Sequence, residues 1–173
     1  MQGKIGLVTA AGSGMGKAGA IRFAREGASV SVVDINPEGV DAVVKEIKDA
    51  GGNAIGIVAD LTKDEESKRI VTETANHFEG LDFVWNHVGY PGPASIEGIE
   101  MKDFELTLDL NLRTILVTTE AALSEFRIRG GGTLLYTASS SGLMGSGFSP
   151  VYSMAKFGVV GFVKALAKRV AKD

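Results

Sequence analysis

The chain contains no cysteine, which excludes disulfides and every cysteine-built metal site. Histidine is scarce as well: only His77 and His87 are present, without the supporting ligands of a zinc set, so no metal is expected. Basic runs are missing and the net charge is −3, which argues against nucleic acid as a partner. Long hydrophobic runs are missing too. The apolar stretch Ile5 to Ala11 is too short to span a bilayer, and it lacks the charged start and cleavage site of a signal peptide. A cytoplasmic protein with no membrane partner is expected.

What is present is enough for one core. The 173 residues, 45% of them hydrophobic, suit a single domain over 1–173. The 23 glycines punctuate periodic segments rather than forming a low-complexity tract. Short apolar runs predict strands at Lys4–Ala10, Ser29–Asp34, Ala54–Val58, Phe83–Asn86 and Gly132–Thr137, the first reading as a buried parallel strand. Helices are predicted between them, at about Met15–Arg25, from Asn36-Pro37 to Ala50, and from a capping box at Thr62–Glu65 to Phe78. One long helix is predicted over Met101–Arg129 and a last one over Pro150–Lys172. This alternation predicts an α/β fold, a Rossmann-like doubly wound parallel sheet in a three-layer α/β/α sandwich. A six-stranded order needs one strand more, so the C-terminal strands are expected to be missing and the sequence to be part of a longer chain.

The first strand runs into Thr9-Ala10-Ala11-Gly12-Ser13-Gly14-Met15-Gly16, which opens a helix. Glycines at 12, 14 and 16 allow close backbone approach, and the amides of a helix N-terminus suit a diphosphate. Asp34 ends the second strand eighteen residues after Gly16, where a carboxylate can bond both ribose hydroxyls of an adenosine. It would repel a 2′-phosphate, and Ile35 and Asn36 follow it in place of an arginine, so NAD is expected over NADP.

Near the C-terminus Tyr152 and Lys156 stand one helical turn apart, with Ser139 thirteen residues before the tyrosine. Residues i and i+4 share a helix face. A cation beside a phenol favours its ionised form, which makes Tyr152 a candidate acid/base, and the Ser139 hydroxyl can hold a substrate oxygen. Asn111 interrupts an apolar helix face of Leu108, Leu110, Leu112 and Ile115, and a buried amide there needs partners.

Taken together, the Thr9–Gly16 segment, Asp34, Asp60-Leu61, Asn86-His87-Val88-Gly89, Asn111 and Ser139…Tyr152-x3-Lys156 resemble the classical short-chain dehydrogenases/reductases over essentially the whole chain. The resemblance implies that Tyr152 exchanges a proton with the substrate oxygen. Lys156 would tune it and bond the nicotinamide ribose, Ser139 would orient the carbonyl or alcohol, and Asn111 would hold a relay water. It also implies a cofactor cleft lined by Gly12, Ser13, Gly14, Met15, Gly16, Asp34, Ile35, Asp60, Leu61, Asn86, Val88, Gly89, Tyr152 and Lys156, with Asp60 at the adenine and Asn86 near the adenosine ribose. Two departures stand out: Ala10 occupies a position the family gives to glycine, and His87-Val88 is bulkier than the family's Asn-Ala. The family's final strands, its proline-glycine turn at the nicotinamide and its substrate lid have no counterpart in the sequence.

The expected function is therefore NAD-dependent hydride transfer between a secondary alcohol and a ketone. Apolar residues Pro91, Pro93, Leu143, Met144, Phe148 and Val151 point to a hydrophobic substrate group. A last helix apolar nearly all round from Phe157 to Val163, with a matching stretch Leu110–Val117, predicts a buried second face, and the resemblance implies homodimers or homotetramers through these helices. The alternative reading is a non-catalytic nucleotide-binding or oligomerisation module derived from such an enzyme.

Overall fold

A computed structural model of the protein describes residues 1–171. The elements in chain order are β1 (Ile5–Thr9), α1 (Gly14–Arg25), β2 (Ser29–Asp34), α2 (Pro37–Asp49), β3 (Asn53–Val58), α3 (Asp64–Phe78) and β4 (Phe83–Asn86). Then follow α4 (Met101–Leu108), a π-turn (Asp109–Arg113), α5 (Thr114–Arg129), β5 (Thr133–Tyr136), a 3-10 turn (Ser140–Gly142) and α6 (Pro150–Val170). All five strands run parallel in the order β3-β2-β1-β4-β5. This is the doubly wound Rossmann-like sheet that the alternation predicts.

The apolar runs make this sheet because both of its faces are covered. Val8, Val30 and Val32 pack with Ala20, Ile21, Val43 and Ile47 of α1 and α2. Their strand neighbours Leu7, Val33 and Val84 point the other way, onto Ile70 and Val71 of α3 and Ala122 and Phe126 of α5. Each of these fully buried Val or Leu side chains contributes roughly 1.5–3 kcal/mol relative to exposure. The register sets Val8 opposite Val32 on one side and Trp85 on the other, which aligns the C-terminal ends of the central strands. Strand β5 forms where the sequence predicts a strand and lies at the sheet edge, with Leu135 38% exposed.

Local signals place α2 as expected. The Asn36 side chain accepts from the N–H groups of Glu38 and Gly39, with Pro37 in the first turn. The expected capping box of α3 is not what forms. Lys63 is the cap residue, and the Thr62 hydroxyl instead donates to Asp60 Oδ1 at 2.7 Å. The helix start is stabilised by Asp64, Glu65 and Glu66 in its first turn, which oppose the positive end of the helix dipole. The single long helix predicted over Met101–Arg129 is broken by the π-turn. Thr114 Oγ1 lies 2.8 Å from Leu61 O and 3.0 Å from the carbonyl of Asp109, its one proton shared between them, so a tertiary contact accompanies the widened turn. Helix α6 ends at Val170; Lys172, where the sequence predicts its end, lies outside the described residues. Among the described residues no helix is long and apolar enough to cross a membrane.

Candidate active site

Strands β1 and β4 are neighbours, while the chain leaves β1 for β2 on one side and β4 for β5 on the other. Their C-terminal ends therefore flank the crevice where doubly wound sheets hold ligands. Thr9, fully buried at the end of β1, ties this point together: its Oγ1 accepts from the N–H of His87 at 2.9 Å and of Val88 at 3.0 Å.

From Thr9 the chain turns sharply into α1. Ala10 takes a left-handed conformation, φ +51°, which an L residue adopts only under strain. Its carbonyl oxygen then lies directly beneath Gly16, where any Cβ would overlap it. Gly16 is thus the one residue type that lets α1 pack this close. The far side of the turn is held by Asp34, whose Oδ2 accepts from Gly12 N at 2.9 Å and whose Oδ1 accepts from Asn36 N at 3.0 Å. Ser13, Gly14 and Met15 are exposed at the start of α1, so its first amides face the crevice.

Next to this turn lies a cavity of about 300 Å³ lined by Asp34, Ile35, Asp60, Leu61, Val88 and Gly89 among others. The Thr62 hydroxyl, followed by the Thr62 N–H and Lys63, holds the Asp60 carboxyl below the usual carboxylate value despite some burial. Leu61 is mostly buried. Asn86 is only 1% exposed, and its amide is turned into the protein, where Oδ1 accepts from the Thr118 hydroxyl at 2.6 Å. Its Nδ2 is buried without a partner.

The other end of the crevice is built on α6. Lys156 Nζ lies 5.5 Å from the centre of the Tyr152 ring, as the one-turn spacing predicts. The lysine is 2% exposed and donates to the carbonyl of Thr137 at 2.8 Å; burial pushes its ammonium below the ordinary lysine value. Ser139 caps the 3-10 turn, its Oγ accepting from Ser141 N at 3.1 Å. That turn is seated on α6 at Gly142, which lies against the backbone of Lys156.

Asn111 sits inside the π-turn, 1% exposed. Its Nδ2 donates to Tyr90 O at 2.7 Å and Thr107 O at 2.8 Å, which leaves Oδ1 buried without a partner. A Cβ at Gly89 would stand 2.8 Å from this oxygen and 3.2 Å from Lys156 Nζ. Glycine there leaves a gap in which a lone acceptor and an ammonium face each other. Among the described residues no group of three or more His, Asp or Glu side chains is placed to hold a metal ion.

The sequence profile of the short chain dehydrogenase family matches residues 4–173. The chain belongs to that family. It is 36% identical over 166 residues to an uncharacterized oxidoreductase of Thermotoga maritima, covering 96% of this chain and 65% of that protein. It is 35% identical to a cyclohexanol dehydrogenase of an Acinetobacter species, covering 97% of this chain and 67% of the relative. Among solved structures, a levodione reductase superposes with a TM-score of 0.94 at 31% identity, covering 99% of this chain and 68% of the other. A 7α-hydroxysteroid dehydrogenase complexed with NADH and a 7-oxo bile acid gives 0.95 at 29% identity, covering 99% and 67%. This short-chain dehydrogenase chain thus spans about two thirds of the length of the proteins it matches.

Two residues of this short-chain dehydrogenase that shape the site carried no sequence signal. Thr137 reads as a strand end before a serine loop, and Tyr90 contributes only its carbonyl. Both matter through bonds to residues distant in sequence, which local patterning does not contain.

Proposed function

We propose that the protein is an NAD-dependent oxidoreductase interconverting a secondary alcohol and a ketone, with Tyr152 as the acid/base. The observation that carries this reading is the pairing of Tyr152 with the buried Lys156 beside the unpartnered Asn111 oxygen. The residues present fit a nicotinamide dinucleotide. The Gly16 approach and the exposed amides of α1 suit a diphosphate, and the two Asp34 oxygens each keep lone pairs beyond their backbone bonds. A negative carboxylate there favours ribose hydroxyls and disfavours a 2′-phosphate, which supports NAD over NADP. Asp60, Ile35 and Val88 line the adenosine end of the cavity. When bound, the nicotinamide supplies or accepts the hydride.

The chain's own residues do the rest. The Ser139 oxygen already accepts from Ser141 N–H, so its hydroxyl proton is left to donate to the substrate oxygen. Tyr152 donates its proton to that oxygen on reduction and takes it back on oxidation. Lys156 commits one N–H to Thr137 O, leaving others for a ribose hydroxyl and for a water. Asn111 Oδ1 needs a donor, and a water between it and Lys156 satisfies both and leads protons toward solvent. Leu143, Met144 and Phe148, 69%, 73% and 88% exposed beside the serine turn, favour a hydrophobic substrate. The names of the cyclohexanol dehydrogenase and levodione reductase relatives support an alcohol–ketone pair. Leu116, Met154 and Phe157 lie about half exposed on α5 and α6, which supports a homodimer or homotetramer through these helices.

The test is NADH formation from a panel of hydrophobic secondary alcohols, with Tyr152→Phe in parallel. Tyr152→Phe is expected to abolish turnover while NADH binding, followed by fluorescence, stays near wild type. Near-normal rates in Tyr152→Phe would refute the acid/base assignment.

A further inference from the structure

His87 is half-buried behind the crevice, and its ring is held on two sides. Nδ1 lies 2.8 Å from Thr137 Oγ1, and the same hydroxyl oxygen accepts from Trp85 Nε1 at 3.0 Å. The rings of Trp85 and His87 pack with centres 4.8 Å apart. An indole nitrogen only donates, so it occupies a lone pair of Thr137 and leaves the hydroxyl proton to find an acceptor. The acceptor within reach is His87 Nδ1. With Nδ1 as the acceptor of that proton, the ring proton is on Nε2. Burial, and after it the charge of Lys156, lower the imidazole below its ordinary value, so the ring is neutral at pH 7 and Nε2–H is a fixed single donor.

The ring lies against the glycine turn. Cδ2, the atom bonded to Nε2, lies 3.0 Å from where a Cβ of Gly16 would stand, at the first turn of α1. Lys156 reaches the neighbouring carbonyl of the same Thr137. Nε2 itself has no partner among the described residues and is not sealed from solvent. A polar N–H oriented by two other side chains beside the glycine turn, with no protein acceptor, is open to a ligand oxygen.

We propose that His87 is a cofactor-binding residue of this chain: its Nε2–H, aimed by Thr137, donates to a diphosphate or ribose oxygen of the dinucleotide between the glycine turn and Lys156. Thr137 acts through it as a positioning residue. This rests on the cofactor reading above. With only two histidines in the chain and His77 exposed on α3, long-range nitrogen–proton NMR of the wild-type imidazoles reads the tautomer directly. The expected result is a neutral, Nε2-protonated His87 whose Nε2 proton shifts and exchanges more slowly when NADH saturates the protein, with His77 unmoved. In fluorescence titrations, His87→Ala and Thr137→Val are expected to weaken the NADH Kd about tenfold, as loss of one hydrogen bond to a charged group does. Thr137→Ser, which keeps the hydroxyl, is expected to bind like wild type. A proton on Nδ1, or an unchanged Kd in His87→Ala when wild type binds NADH, overturns the role of His87 alone. Wild type that binds neither NADH nor NADPH overturns the cofactor reading and this inference with it.

Discussion

Ala10 offers the sharpest quantitative test of the glycine turn. Its φ of +51° places an L residue in the left-handed region, at a cost of roughly 1–2 kcal/mol. Ala10→Gly removes that cost and the methyl. It also frees the unfolded chain, which offsets roughly 0.5–1 kcal/mol of the gain. The net expectation is a stabilisation of about 0.5–1 kcal/mol, or a Tm rise of about 1–4 °C for a chain of this size. Urea unfolding and calorimetry on the two proteins measure it. Gly130→Ala is the matching control. Gly130 has φ +82° and open space around its Cβ position, so the same conformational cost is added there with no packing change, and the Tm is expected to fall by about the same amount. Since Ala10→Gly takes away only a methyl at the crevice, NADH affinity is not expected to drop. An Ala10→Gly protein less stable than wild type, beside a destabilised Gly130→Ala, would show that the methyl packs favourably and that the turn carries no strain at residue 10.

Two further outcomes follow from the same geometry. Gly16→Ala sets a methyl against the Ala10 carbonyl, which is backbone and cannot swing away. The variant is expected to lose NADH binding, read by fluorescence, and to lose several degrees of Tm, unlike an alanine at the neighbouring exposed Met15. Asp82, at the opposite end of β4, is 9% exposed. Burial alone would raise its carboxyl, but the Ile5 N–H, Lys4 and Arg129 hold it below the ordinary value. A depressed carboxylate stabilises the fold fully above its unfolded value, near pH ~3.9, and loses that contribution as pH falls through the lower folded value. Asp82→Asn is expected to cost about 1–2 kcal/mol at pH 7, and the gap to wild type is expected to close below about pH 4 in acid unfolding curves. A gap that stays constant down to the acid transition would contradict the role of the charge.

Much of the architecture was legible in the residues themselves. Short apolar runs between helical segments suit a covered parallel sheet, and β2 and β4 appear at Ser29–Asp34 and Phe83–Asn86 as their patterns predict. Asn36-Pro37 fixes the start of α2 through bonds confined to a few residues. The one-turn spacing of Tyr152 and Lys156 likewise guarantees a shared helix face. In each case the determining interaction lies within one turn or one strand, so local sequence contains it.

Tertiary structure decided the rest. An apolar helical pattern through Leu108–Leu112 reads alike for an α-helix and a π-turn. The widened turn at Asp109–Arg113 goes with Thr114 bonding Leu61 across the fold, and Asn111 Oδ1 lies within it, unpartnered. The capping box at Thr62 gave way because Asp60 competes for the hydroxyl. Asn86 was turned inward because Thr118, on a helix far along the chain, meets its amide. The strain at Ala10 and the fixed ring of His87 have the same origin, through Gly16, Thr9 and Thr137. Sequence pattern fixes which elements form and which faces they bury. Hydrogen bonds between residues up to 79 apart in the chain decide where the donors and acceptors of the site point, and only the assembled sheet brings those partners together.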